Sequence, residues 1–215
     1  MPRRRPPSTW WANCTAWDCD PVAIEAARAA EGTNVRDMSL HILDLIENAV
    51  RADATLVMVT VAEELDKDLL RIVVEDNGRG LRVPPEEAAD PFYTTKSGKK
   101  TGLGLSLFSS TAQQAGGEAH LKESVLGGLA VEATMQLHHI DRIPLGDMAA
   151  TICSVVCTNP DLDLWCRFSV GARACVVRVS EVVKELPIGQ RSGLAVARRV
   201  ADKIRAAVTT LQVQP

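Results

Sequence analysis

Between Asp37 and Ala54 the apolar residues Leu40, Ile42, Leu43, Leu45, Ile46, Ala49 and Val50 recur with the period of an α-helix. His41, Asp44, Asn48 and Arg51 interrupt them at steps of three, four and three, so these four polar residues share one stripe. Apolar residues fill most of the remaining arc, which leaves little of the helix to face water; the stripe is therefore expected indoors. A carboxylate, an amide and a guanidinium are costly to bury without partners, and an anion with a divalent cation satisfies all three. On spacing alone, a solvated face of an amphipathic helix remains the competing reading.

The period then changes from helix to strand. Residues 55–61 are β-branched and strand-like, residues 63–68 make a polar turn, and residues 69–75 form a second strand, which together predict an antiparallel hairpin. Its end carries Asp76-Asn77-Gly78-Arg79-Gly80, where the glycines let the backbone turn sharply and approach a ligand; many β-turns share this composition. Asp90-Pro-Phe-Tyr-Thr94-Thr95-Lys96 follows, then Lys99, Lys100, and Thr101-Gly102-Leu103-Gly104-Leu105 feeding a helix that ends at Gly116-Gly117. Glycines at a helix N-terminus offer free N–H groups to an anion, and the lysines add charge, so the segment reads as a phosphate cradle. Residues 118–123 and 129–137 alternate as two closing strands joined by Gly127-Gly128.

The flanks are read less sharply. Residues 1–34 form a basic, tryptophan-bearing extension with no clean period, expected to be flexible, although residues 23–31 favour a short helix. Residues 141–215 read as a helix, a hairpin over 162–179 and two further helices, a small α/β C-terminal module. Residues 35–140 lie between as one domain, and the fold class is α+β.

Composition narrows the function. The chain has 215 residues, 46% of them hydrophobic, enough for a good core. Lys+Arg 24 against Asp+Glu 27 gives a net charge of -3, which argues against a general nucleic-acid or anionic-membrane binder. No apolar run approaches the ~20 residues of a membrane span, and a cytoplasmic location with reduced cysteines is expected. Cys153, Cys157, Cys166 and Cys175 are expected as free thiols, since their spacing matches no common zinc pattern.

A helix with an acidic residue four before an asparagine, then D-x-G-x-G, Phe-Tyr-Thr-Thr-Lys and Gly-Leu-Gly-Leu, in that order, resembles the ATP-binding domain shared by gyrase, Hsp-type chaperones, histidine kinases and mismatch-repair ATPases. The resemblance implies a Bergerat fold over 35–140, helices on one face of a mixed, mostly antiparallel sheet with ATP between the layers. It implies that Asp76 accepts from the adenine amino group beside Gly78 and Gly80, that Asn48 binds Mg²⁺ through its amide oxygen, and that Arg51 lies near the phosphates. It also implies that Thr101, Gly102, Leu103, Gly104 and Leu105 surround the triphosphate. Thr94, Thr95 and Lys96 then lie in a lid, with Lys99 and Lys100 as further phosphate contacts. Asp44 stands where hydrolysing relatives carry a glutamate that activates water. His41, one turn earlier, reads as a structural histidine or as one that holds the Asp44 carboxylate by a hydrogen bond. A threonine that some relatives keep near adenine has no counterpart in Leu129-Ala130-Val131.

His139, Arg142, Pro144 and Leu145 keep part of the spacing of a kinase phosphoacceptor box, but the acidic residue is displaced to Asp141, and the string reads as a linker. The expected function is a Mg²⁺-ATP-binding signal-transduction protein, an ATPase or kinase-type phosphotransferase, regulating a protein partner through the C-terminal module. The alternative is a nucleotide-sensing regulator without turnover, like anti-sigma factors; oligomeric state stays open.

Overall fold

The computed structural model describes residues 37–80, 103–191 and 193–213. The N-terminal extension and the lid, with Thr94, Thr95, Lys96, Lys99, Lys100, Thr101 and Gly102, lie outside the described residues.

Helix α1 (Met38–Arg51) starts at Asp37, whose carboxylate accepts from Leu40 N at 3.3 Å and from Ser39 Oγ at 2.6 Å. Its Met38, Ile42, Leu45, Ile46 and Ala49 are buried. Strands β1 (Leu56–Glu64) and β2 (Leu69–Asp76) form the expected antiparallel hairpin through a single 3₁₀ turn at Leu65–Lys67. Helix α2 (Leu103–Gln114) leads to β3 (Glu118–Glu123) and β4 (Leu129–Gln136), an antiparallel pair joined to β2 through β4. Then follow α3 (Met148–Thr158), β5 (Asp163–Val170), β6 (Arg173–Arg178), α4 (Val179–Glu185) and α5 (Gly193–Leu211).

The six described strands make one sheet in the order β3-β4-β2-β1-β5-β6. Only the β1–β5 pairing is parallel, so the sheet is mixed and mostly antiparallel, and the fold is α+β. Burial alternates along β1, β2 and β5, and the buried rows are in register: Val59 opposes Val74 and Cys166, and Val61 opposes Ile72 and Phe168. A strand's side chains alternate between faces, so this matched alternation puts one continuous apolar face against the helices. α1 packs on β1 and β2, α2 on β3 and β4, and α5 on β5 and β6.

The boundary expected near residue 140 does not interrupt the sheet. β5 and β6 lie within the segment expected as a separate module, yet β5 pairs with β1 over eight residues, Leu56↔Asp163 to Glu63↔Val170. α3 bridges α1 and α5, and the described residues fall within one compact unit. The elements of this segment are those the pattern predicts; what differs is their attachment.

Among the described residues no group of three or more His, Cys, Asp or Glu side chains converges, so the four cysteines do not gather. All four are free thiols. Cys166 is buried in β5 beneath the helices, and burial pushes its thiol up to about 12. The thiolate is the nucleophile, so Cys166 is expected to resist iodoacetamide in the folded protein and to react only on unfolding, while exposed Cys157 reacts at once. Peptide mapping after native and denatured labelling checks this; native modification of Cys166 would contradict its placement. No helix among the described residues is long and apolar enough to cross a membrane.

Candidate functional site

Asp76 occupies the inward row of β2 after Leu70, Ile72 and Val74, so strand parity alone turns it toward the helix layer. It is 6% exposed. Its Oδ1 accepts from Gly78 N at 2.7 Å and from Leu129 N at 3.3 Å, and its backbone oxygen accepts from Gly128 N at 3.0 Å. The carboxylate is thereby fixed through one oxygen, leaving the other for a further donor. Leu129 contributes its N–H at the position where no hydroxyl is available.

The loop after Asp76 is tied to the end of α1. Asn77 Oδ1 accepts from Thr55 N and Leu56 N, both at 2.9 Å. Arg79 N donates to Ala52 O at 3.0 Å, the Arg79 guanidinium donates to Arg51 O at 3.1 Å, and its Nε pairs with Asp53 at 3.1 Å. Gly80 follows with φ +65, a left-handed turn that suits glycine. Asn48 lies one helical turn before Ala52, whose N–H donates to Asn48 O at 3.0 Å. Asn48 and Asp76 are thus gathered at the same end of α1.

The start of α2 closes the arrangement from the other side. A Cβ built on Gly104 would stand 3.5 Å from Asp44 Cβ, 3.7 Å from Asp44 Oδ2 and 3.9 Å from Asn48 Nδ2. The bare glycine therefore lets the first turn of α2, whose backbone N–H groups have no partner within the helix, lie against the stripe. Leu103 opens that helix and Leu105, half-buried, packs on the core.

The stripe itself is divided, contrary to the expectation that it lies indoors. His41 is buried, with Nε2 3.4 Å from Thr111 Oγ1 and its ring centroid 6.0 Å from that of Phe108, which places it in the seam between α1 and α2. Asp44, Asn48 and Arg51 are exposed. The reason is that α2 covers only the first part of the stripe, and its N-terminus meets Asp44 and Asn48 edge-on. The apolar arc is not continuous either, because Leu40 is 50% exposed.

Arg51 has partners the stripe argument missed. Its Nη1 donates to Asn48 Oδ1 at 2.6 Å and its Nη2 to Glu47 Oε2 at 2.5 Å. Glu47 stands four residues before Arg51, the spacing of a helical ion pair, and that was the available signal. The Asn48 amide oxygen thus faces a cation already, and an amide oxygen is the kind of donor a hard divalent ion such as Mg²⁺ prefers. The other missed residue is Gly128, which packs directly on Asp76.

The partial phosphoacceptor string is remote from these groups. His139 packs beside Gly116, beyond the C-terminus of α2, whereas Gly104 is at its N-terminus. Twelve residues of helix put the two about 18 Å apart. His139 lies in a turn, its Nδ1 accepting from Asp141 N at 3.1 Å, as a linker would.

The family model described as histidine kinase-, DNA gyrase B- and HSP90-like ATPase matches residues 33–139. The sensor histidine kinase CpxA of Escherichia coli is 34% identical over 103 residues, 44% of this chain and 22% of CpxA, so the chain spans about a fifth of that relative's length. Among solved structures, the ATP-binding domain of PrrB from Mycobacterium tuberculosis matches at 26% identity, over 52% of this chain and 87% of that domain, with a TM-score of 0.35. The Aquifex aeolicus MutL ATPase domain complexed with ADP matches at 16% identity, over 68% of this chain and 64% of that one, with a TM-score of 0.38. Four ordered sequence boxes, the mixed sheet under its helix layer and the family model agree: over residues 33–139 this chain belongs to the histidine kinase-, DNA gyrase B- and HSP90-like ATPase family.

Proposed function

We propose that the protein binds Mg²⁺-ATP at the end of α1 and uses its hydrolysis, or transfer of its γ-phosphoryl group, to regulate a partner protein. The observation that carries the reading is the meeting of Asp76, Asn48 and the α2 N-terminus around one helix end, in a chain of this family. Asp76 accepts from the adenine amino group with the oxygen its own loop leaves free, since an ionised carboxylate is an acceptor and the amino group a donor. Asn48 Oδ1 would hold Mg²⁺, which would supply neutralisation of the phosphate charge. Backbone N–H groups at the start of α2 face the phosphates, and lid residues Thr94, Thr95, Lys96, Lys99, Lys100, Thr101 and Gly102 complete the phosphate contacts. Asp44 orients the attacking water or hydroxyl and takes its proton; His41 braces the helix seam beneath it. Residues 141–215 offer the surface for the partner.

Titration calorimetry with ATP and Mg²⁺ tests the binding step. The wild type is expected to bind, and Asp76→Asn to bind about 10- to 100-fold more weakly, the loss of one hydrogen bond to a charged group. No heat from any adenine nucleotide would end the proposal. Incubation with γ-labelled ATP then separates free phosphate, labelled protein and no reaction, the last being the nucleotide-sensing regulator.

A further inference from the structure

The Asn48 amide presents its nitrogen toward Gly104, at 3.9 Å from a Cβ built there, and its oxygen toward Arg51. A guanidinium carries only donors, so the oxygen must be the atom facing it. The same guanidinium reaches back one further residue to Glu47, and both side chains of that ion pair are half exposed. One cation is thus forked between an amide three residues back and a carboxylate four residues back.

We propose that Glu47 is a positioning residue that parks Arg51 on the Asn48 oxygen as a resident cation, a latch that Mg²⁺ must displace before nucleotide is held. The proposal rests on the Mg²⁺-ATP reading above. Two cations do not converge on one amide oxygen without strong repulsion, so metal binding at Asn48 Oδ1 requires Arg51 to leave it. Once released, the guanidinium is free to swing toward the phosphates, where a bidentate contact is available. Glu47 opposes that release, because its carboxylate holds the other edge of the fork. It thereby sets how much Mg²⁺ the site demands, while touching neither metal nor nucleotide.

The test is a Mg²⁺ titration of ATP binding, read by calorimetry, in wild type, Glu47→Gln and Arg51→Met. Glutamine keeps the shape of Glu47 and removes its charge. Exposed ion pairs of this kind are weak, so Glu47→Gln is expected to lower the half-saturating Mg²⁺ concentration about two- to threefold and to leave affinity at saturating Mg²⁺ unchanged. Arg51→Met is expected to lower the same midpoint while weakening ATP at saturating Mg²⁺ about tenfold, since the phosphate contact goes with the latch. That split is not produced by a merely structural ion pair. An unshifted midpoint in Glu47→Gln, with normal wild-type binding, overturns the latch alone. A wild type that binds no ATP at any Mg²⁺ concentration overturns the nucleotide reading and the latch with it.

Discussion

Asp44→Asn is expected to reduce ATP turnover by about 10²- to 10⁴-fold, the range contributed by a positioned general base, while nucleotide binding persists. Asparagine matches aspartate in size but cannot take a proton. Asp44 is exposed on α1, one turn ahead of Asn48, with its Oδ2 against the start of α2. A nucleophile between that carboxylate and a triphosphate held at the α2 N-terminus would meet both. Phosphate release and calorimetry on the same sample check the two halves of the expectation. Unchanged release removes Asp44 from the mechanism, and lost binding assigns it to nucleotide contact instead.

The second large effect concerns a residue with no side chain. A Cβ on Gly128 would lie 2.2 Å from Asp76 Oδ1, 2.6 Å from Gly78 N and 2.7 Å from Asp76 O. Two of these are backbone atoms and the third is a carboxylate oxygen held by Gly78 N and Leu129 N, so Gly128→Ala must push the β3–β4 turn away from Asp76. The bonds from Gly128 N and Leu129 N to Asp76 then break, and a buried carboxylate loses part of its support. A stability loss of about 2 kcal/mol or more is expected, with nucleotide affinity reduced at least as far as in Asp76→Asn. Gly189→Ala, where nothing lies within 4 Å of the added methyl, serves as the neutral comparison. Denaturant unfolding and calorimetry give both quantities. Wild-type affinity in Gly128→Ala would show that the turn does not shape Asp76.

Local periodicity carried much of this structure. The hairpin of β1 and β2 follows from alternation, and strand parity then aims Asp76 at the helices without further information. The α1 stripe was equally visible, but its environment was not. Whether Asp44 is covered depends on where α2 arrives, more than fifty residues later. Gly127-Gly128 was legible as a turn only, because its contact with Asp76 is made across the sheet. The resemblance points Arg51 at phosphates, whereas its ion-pair partner in the structure is the i,i+4 residue Glu47, a pairing that local spacing alone carries. The helices and hairpin after residue 146 were legible one by one, whereas a single sequence does not say which earlier strand a later strand will join.

The parallel seam between β1 and β5 has a consequence for what counts as the smallest intact unit. The family-matched stretch ends at residue 139, but the strand that covers one flank of β1 begins at Asp163. Trimmed to the match, β1 would present a bare row of peptide N–H and C=O groups, the kind of template that recruits a second chain. In this protein the last third of the sequence sheathes that flank.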